Sequence, residues 1–147
     1  MANFNFTVNV SEQDRKRSAA LGVDGNNPLT VLDLGKAVSL GPVNNYVVAS
    51  DGDDLDGILV GVEDVTVNSG FGFGTVQTNG LAEVEIAAAE AGTAVPGDEV
   101  IAGIQIAVGT AGAAQVKLGT GGTVKWRVLS LLSGTGVAGD TILVERI

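Results

Sequence analysis

The chain has 147 residues, of which 45% are hydrophobic, and it carries a net charge of −9 with no Cys and no His. A chain of this length buries roughly 68–70% of the surface that its unfolded form exposes, so we expect one domain that needs no disulfide or metal. The absence of Cys and His argues against a zinc site, and the negative charge argues against binding to nucleic acid.

Residues 1–28 are predicted to form an extended N-terminal arm. Asn, Gly and charged residues dominate this range, and only the stretch from Ser11 to Leu21 has a pattern that allows a short helix. A disordered tail is the alternative interpretation. The first residues have neither the basic segment nor the apolar core of a signal peptide, so we expect synthesis and first residence in the cytoplasm.

From Leu29 onward, apolar residues alternate with polar ones, which predicts half-buried strands. The alternation is visible in Ile58, Val60 and Val62; in Ala82, Val84 and Ile86; in Val100, Ala102, Ile104, Ile106 and Val108; in Val124, Trp126 and Val128; and in Ile142 and Val144. Glycine-rich breaks separate these runs. The sequence therefore predicts an all-β fold, a small glycine-rich β-barrel or β-sandwich over residues 29–147 that carries the arm.

Gly134, Gly136 and Gly139 spell the G-x-G-x-x-G pattern of a dinucleotide-binding loop. In such a site a helix follows the glycines, and its N-terminus meets the pyrophosphate. Here a β-branched stretch from Thr141 to Ile147 follows instead, and Asp140 stands where a phosphate loop needs a cation. We therefore interpret the glycines as a turn and expect no nucleotide cofactor.

Asp51, Asp53, Asp54 and Asp56 form the densest acidic cluster of the chain. Carboxylate oxygens are the ligands that Ca²⁺ prefers, but Gly57 falls one position too late for an EF-hand loop. A solvated acidic loop before the strand that begins at Gly57 is the favoured interpretation, and a cation site is the alternative. We expect no metal ligand among the other residues.

The sequence offers no catalytic constellation. A nucleophile needs a base beside it, and His and Cys are absent. No Lys stands in an S-x-x-K pattern, and adjacent carboxylates such as Glu63 and Asp64 point to opposite faces of a strand. We therefore predict no catalytic residues, no cofactor and no enzymatic activity.

The arm holds the residues that we predict to contact a partner. Phe4 and Phe6 alternate along the chain, as in a segment that adds a strand to a neighbour's sheet, and Arg15, Lys16 and Arg17 could pair with an acidic surface. A solvated charge run without a function is the alternative. Trp126 lies on the apolar side of its strand, so we expect it in the core.

Several segments together resemble the decoration, or cement, proteins of tailed-bacteriophage heads. These are Asp56 to Val62, Gly74 to Ile86 with its Asn79-Gly80-Leu81 turn, Pro96 to Val100, Thr123 to Leu129 and Ala138 to Glu145. The likeness covers roughly residues 35–147. It concerns the kind of segments and their order along the chain, without an invariant motif. It implies a small β-barrel or β-sandwich that forms an oligomer, often a trimer, on the outer surface of the capsid, where it bridges neighbouring major capsid subunits.

The competing hypothesis is a carbohydrate- or cell-surface-binding β module in which the acidic loop from Asp51 to Asp56 forms a calcium-dependent site. Sugar platforms usually depend on exposed Trp or Tyr side chains, and this chain has only Tyr46 and Trp126. The scarcity of aromatic residues therefore favours the capsid protein, with the major capsid protein and further copies of itself as partners and no nucleic acid or membrane.

Overall fold

The computed structural model describes residues 16–21, 29–41, 45–62 and 72–147. Within these ranges the chain forms ten strands and one short 3-10 helix at Val31–Asp33. The strands are β1 (Lys16–Leu21), β2 (Ala37–Leu40), β3 (Tyr46–Val48), β4 (Gly57–Val62), β5 (Gly72–Gln77), β6 (Leu81–Ile86), β7 (Glu99–Ala102), β8 (Gln115–Leu118), β9 (Trp126–Leu131) and β10 (Thr141–Arg146). The predicted all-β barrel fold is confirmed.

The strands close into two five-stranded barrels of the same topology. The first barrel (residues 16–77) has the order β1-β3-β2-β4-β5, and the second barrel (residues 81–146) has the order β6-β8-β7-β9-β10. In each, the first and third strands are parallel and the other pairs are antiparallel. A register shift recurs between β4 and β5 and between β9 and β10. The chain thus builds one topology twice.

The alternating pattern in the sequence determines which face of each strand is buried. In β9, Trp126 and Val128 are buried, whereas Arg127 and Leu129 are exposed. Strands β6 and β10 show the same alternation, with their aliphatic residues at every second position inside the second barrel. The prediction that Trp126 lies in the core is confirmed, because its side chain is 0% exposed.

The prediction of one strand through residues 100–108 is wrong, because β7 ends at Ala102 and both Ile104 and Val108 are exposed. Beyond Ala102, the side chain of Gln105 forms hydrogen bonds with the backbone of β8. Its Nε2 donates to the carbonyl of Gln115 at 2.5 Å, and its Oε1 accepts the Gln115 N–H at 3.0 Å. The Gln115 carbonyl also accepts the Gly103 N–H at 2.9 Å, so the Gln105 side chain replaces only the acceptor that a longer β7 would have offered to the Gln115 N–H.

The short helix that the pattern allows between Ser11 and Leu21 does not form over residues 16–21, which form β1. This strand pairs with β5 from Lys16 opposite Gln77 to Leu21 opposite Gly72, and Leu21 also pairs with Tyr46 of β3. Pairing with strands distant in sequence overrides the local helix propensity. Residues 16–21, which we assigned to the arm, thus belong to the first barrel, and the rest of the range 1–28 lies outside the described residues.

One hydrophobic cluster extends across both barrels. Leu55 and Ile58 of the first barrel pack in the same cluster as Trp126 and most buried residues of the second. The indole Nε1 of Trp126 donates a hydrogen bond of 2.7 Å to the buried carbonyl of Leu55. A smaller cluster around Leu59 fills the first barrel alone. The shared cluster makes each barrel part of the other's packing.

Replacing Trp126 with Phe should lower the free energy of unfolding by about 1–3 kcal/mol, because the buried Leu55 carbonyl loses its donor and the smaller ring fills less of the core. Urea unfolding followed by circular dichroism measures this change. Leu129→Ala, on the exposed side of the same strand, serves as the control and should change stability by about 0.5 kcal/mol or less. Equal stability of Trp126→Phe and the wild type would contradict this account.

Candidate functional site

The acidic loop, Asp51 to Asp56, lies between β3 and β4, and its carboxylates bind protein groups. Asp51 forms an exposed ion pair of 2.9 Å with Lys117 of β8. Asp53 accepts the Ser50 N–H at 2.9 Å, and Asp56 accepts the backbone N–H of Leu40 at 2.7 Å. These contacts fix the shape of the loop and attach it to the adjacent strand β2.

Asp54 joins the acidic loop to the second barrel. Its carboxylate accepts the N–H groups of Gly122, Thr123 and Val124 at 2.7, 2.9 and 3.2 Å. Successive N–H groups that converge in this way form a concave anion-binding nest. Backbone hydrogen bonds between the acidic loop and Ala102 add to this attachment. The acidic loop is therefore the principal polar contact between the two barrels.

This arrangement differs from the solvated acidic loop that we expected. Only Asp51 and Gly52 of the loop are exposed, and both carboxylate oxygens of Asp54 accept backbone hydrogen bonds. Among the described residues, no group of three or more Asp or Glu side chains is arranged to hold a metal ion. The geometry therefore favours a structural role for these carboxylates over the alternative of a cation site.

The glycine pattern at residues 134–139 forms a turn, as predicted. Gly134, Gly136 and Gly139 have φ values of 62°, 90° and 90°, in the left-handed region that favours glycine. The N–H groups of Thr135, Gly136 and Val137 donate to Oδ2 of Asp140 at 2.9, 2.9 and 3.0 Å. A carboxylate of the chain itself occupies the nest that a phosphate would need, and strand β10 follows in place of a helix.

A buried ion pair makes a second contact between the barrels, and the sequence analysis missed it. Lys36 Nζ lies 2.6 Å from Oδ1 of Asp33, and both side chains are 0% exposed. Lys36 also donates to the carbonyl of Ala107 at 2.7 Å, and Asp33 accepts the Gly109 N–H at 2.8 Å. The capping box of Thr30 and Asp33 is a sequence signal for the short helix, but the contacts of Lys36 with Ala107 and of Asp33 with Gly109 join residues 71 and 76 positions apart and have no local signal.

Backbone N–H donors lower the pKa of several carboxylates. The N–H of Thr123 is the main cause for Asp54, whose pKa lies below its usual value although burial opposes the shift. The N–H of Val137 is the main cause of the lowered pKa of Asp140. The N–H groups of Gly92 and Leu118 lower the pKa of Glu90, which accepts both at 2.7 and 2.8 Å.

In Asp33 and Asp56, burial raises the pKa and so opposes the hydrogen-bond donors, which lower it. Burial tends to raise the pKa of Asp33, but the hydrogen bond from Lys36, together with backbone donors, more than offsets this and the pKa is lowered. Burial raises the pKa of Asp56, and the charges of Asp54 and Asp53 add to that effect. The Leu40 N–H and the charge of Arg146 oppose it without reversing it.

A cleft of about 730 Å³ opens between the barrels beside the acidic loop. Its lining includes Tyr46 of the first barrel, Asp54 and Asp56 of the acidic loop, Asn79 of the segment that links the barrels, and Arg146 of β10. Arg146 Nη1 donates to the carbonyl of Thr78 at 2.8 Å, which holds the guanidinium at the cleft. The cleft therefore combines an aromatic ring with polar groups of both charges.

The residues predicted to contact a partner are only partly described. Phe4, Phe6 and Arg15 lie outside the described residues. The backbones of Lys16 and Arg17 lie in β1, opposite Gln77 and Val76. Two members of the basic run therefore belong to a barrel strand, and the role of all five residues in partner contact stays a prediction.

Comparison with known proteins yields no match: no family model fits the chain, and no curated protein or solved structure is significantly similar to it. In the part of the chain that the structure describes, no helix is long and apolar enough to cross a membrane.

The stability of the fold should fall in acid. Asp33, Asp54, Glu90 and Asp140 have lowered pKa values, so the stability that they contribute is present above about pH 4 and is lost as the pH falls through their folded values. Asp56, with its raised pKa, contributes in the opposite direction. The midpoint of thermal unfolding should therefore decrease from about pH 5 to about pH 2.

The Asp54→Asn variant tests whether these carboxylates cause the loss of stability in acid. The variant should melt at a lower temperature at neutral pH and show a flatter pH profile, because the charged acceptor of the nest is gone. Asp51→Asn breaks only an exposed ion pair in the same loop and should keep the wild-type slope. A wild-type midpoint that stays constant across the acid range would contradict the role of these carboxylates.

Proposed function

We propose that this chain is a non-catalytic structural protein that decorates and stabilises the outer surface of a phage capsid as a homotrimer and bridges neighbouring major capsid subunits. The observation that carries the proposal is the use of its acidic groups. Asp54 and Asp140 bind glycine-loop amides, and Asp33 pairs with Lys36. The groups that would otherwise serve as catalysts or ligands hold the scaffold together.

The architecture supports a load-resisting role. Two closed barrels are joined by a hydrophobic cluster that extends across both. The carboxylates of Asp33 and Asp54 also accept N–H groups of loops that lie far away in the sequence. A closed sheet has no free edge along which further chains could add without limit. Such a scaffold can be packed densely on a capsid without polymerising through its strands. The resemblance to head decoration proteins, given above, is consistent with this use.

Exposed aliphatic side chains supply contact surface for protein partners. Large apolar residues such as Leu32, Leu81, Ile104 and Leu132 are about half exposed. These side chains could be buried on assembly against another protein. The proposal places the major capsid protein and further copies of this chain on that area.

Purified protein added to heads that were assembled without it should bind to saturation at a fixed ratio of copies to major capsid subunits. Cryo-electron microscopy of the saturated heads should show its density on the outer surface between neighbouring subunits. Decorated heads should also release their DNA at a higher temperature than bare heads, because each copy bridges subunits. Heads that bind no copies, or that carry density only inside, would contradict the proposal.

The arm is tested by deleting residues 2–14 together with Arg15→Ser. This variant retains β1, whereas deletion of residues 2–28 would remove a strand that pairs with β5 along its whole length. Capsid occupancy should fall while the unfolding midpoint in solution stays that of the wild type. Unchanged occupancy would show that Phe4, Phe6 and Arg15 are not contact residues.

A carbohydrate-binding module is the second candidate, and the cleft is the observation that favours it. Its volume of about 730 Å³ lies within the roughly 300–1,000 Å³ typical of small-molecule sites. Tyr46 could stack on a sugar ring while Asp56, Asn79 and Arg146 bind hydroxyl groups. Carboxylate oxygens of Asp53 and Asp54 already accept backbone hydrogen bonds. This version of the hypothesis therefore includes no bound calcium.

Binding to a panel of immobilised glycans in the presence of a calcium chelator separates the two candidates. Saturable binding to one glycan that is lost in Asn79→Ala, at the exposed turn of the cleft, would support the sugar module. Thr110→Ala, an exposed loop change outside the cleft, is the control and should leave such binding intact. The decoration protein is expected to bind none of the glycans.

A further inference from the structure

The short link between the two barrels contains the only Asn-Gly pair of the chain. Thr78, Asn79 and Gly80 join β5 to β6 at the edge of the cleft, and Asn79 is exposed. The amide carbon of an Asn side chain, Cγ, can be attacked by the backbone nitrogen of the next residue. Glycine has no side chain that hinders this approach.

The turn directs the Gly80 nitrogen at the side chain of Asn79. The Gly80 N–H donates to Oδ1 of Asn79 at 2.9 Å, so the nitrogen already lies beside Cγ. The terminal torsion of an Asn side chain is broad, and in an exposed side chain a rotation about it turns the face of the amide carbon towards the nitrogen. Reacting groups that are held together in this way lose less entropy when they react.

Gln77 stabilises the charge that develops during such an attack. The Gly80 amide must lose its proton, and the negative charge then spreads onto the carbonyl oxygen of Asn79. The Gln77 Nε2 donates to this oxygen at 2.9 Å and to the carbonyl of Leu81 at 2.6 Å. Arg146, bonded to the adjacent carbonyl of Thr78, adds a positive charge close by. Donors directed at a developing charge lower the barrier of a reaction.

Two other positions show why Asn79 is distinct. The Gly52 N–H of the exposed Asp51-Gly52 pair donates to the carbonyl of Ala102 at 2.9 Å, which holds that nitrogen against the second barrel. Asn45 is only 6% exposed, and the residue that follows it is the bulky Tyr46. Asn79 combines exposure, a following glycine and an N–H directed at its own amide group.

We propose that Asn79 is a site of spontaneous deamidation, in which the Gly80 nitrogen attacks Cγ of Asn79. The new bond closes a succinimide ring, and the side-chain nitrogen leaves as ammonia after taking up a proton in exchange for the one that the Gly80 amide lost. Water then opens the ring. Cleavage between the nitrogen and Cγ gives Asp, and cleavage between the nitrogen and the main-chain carbonyl carbon gives isoaspartate. The modification takes place in the free chain and does not depend on a capsid.

Both products change the junction of the barrels. Each adds a negative charge to the cleft that Asp54 and Asp56 also line. Isoaspartate in addition carries the main chain through the former side chain, so the link gains a methylene group and the carbonyl that Gln77 binds becomes part of a free carboxylate. The link is otherwise held by the Arg146 N–H, which donates to the Gly80 carbonyl at 3.1 Å. The isoaspartate form should therefore attach the barrels less firmly.

Peptide mapping by mass spectrometry after storage at neutral and at mildly alkaline pH tests the proposal. The peptide that contains Asn79 should gain the mass of an amide-to-acid conversion and separate into Asp and isoaspartate forms. The rate should rise about tenfold per pH unit as the amide loses its proton. Asn45 is the internal control and should stay unconverted. An unmodified Asn79 after the same storage overturns the proposal.

Asn79→Gln is the matched control variant, because it keeps the amide group but moves its carbon one methylene group away from the Gly80 nitrogen. It should convert at least about tenfold more slowly than the wild type. Equal conversion of this variant and the wild type would place the modification at another residue and overturn the assignment to Asn79.

Two comparisons test the contribution of the turn. The folded chain should convert Asn79 at least as fast as the same chain unfolded in guanidinium chloride, and a slower rate in the folded chain would show that the turn protects Asn79, which overturns the proposal. Gln77→Met removes the donor to the Asn79 carbonyl without adding charge and should slow conversion by about threefold or more. An unchanged or faster rate in this variant, shown by circular dichroism to be folded, would overturn the role of Gln77.

The Asn79→Asp variant separates the added charge from the altered main chain. It reproduces the Asp product and should unfold close to the midpoint of the fresh wild type, because the side chain is exposed. Isoaspartate chains, isolated from stored protein by ion-exchange chromatography, should unfold at a lower midpoint. Equal midpoints of the three forms would overturn the predicted weakening of the link.

Discussion

The structure depends on hydrogen bonds from backbone N–H groups to carboxylates. An ionised carboxylate that leaves water needs several donors, and loops rich in glycine can offer consecutive N–H groups without side chains in the way. Asp54 and Asp140 each accept three such donors. Charge-assisted hydrogen bonds are roughly twice as strong as neutral ones. The acidic residues and the glycines of this chain are therefore complementary parts of one stabilising interaction.

The repeated topology explains how one of these interactions joins the two barrels. The acidic loop connects β3 to β4 in the first barrel, and the loop that receives Asp54 connects β8 to β9, the corresponding strands of the second. Equivalent loops thus face each other with opposite chemistry, a carboxylate in one and backbone donors in the other. Leu55 and Trp126 extend the same contact into the core.

The local sequence pattern predicted the fold class and several strands. It could not predict contacts between residues that lie far apart in the sequence. The alternation in β6, β9 and β10 gave the buried faces and the position of Trp126, because period-two burial is a local property of a strand. Pairing of β1 with β5, and of Asp54 with N–H groups 68–70 residues away, is decided by tertiary structure. The paired topology of the barrels likewise leaves no repeated motif in the sequence.

The acid–base properties of these carboxylates argue in the same direction as their geometry. A general base or acid works best with a pKa near the operating pH, which for a carboxyl group requires a strong upward shift. Asp33, Asp54, Glu90 and Asp140 are shifted downward, so each is a weaker base than an ordinary carboxylate. Asp56 alone moves upward, and its carboxylate accepts the Leu40 N–H. The same hydrogen bonds that join these loops thus make Asp33, Asp54, Glu90 and Asp140 weaker bases than ordinary carboxylates, which supports the proposed structural role.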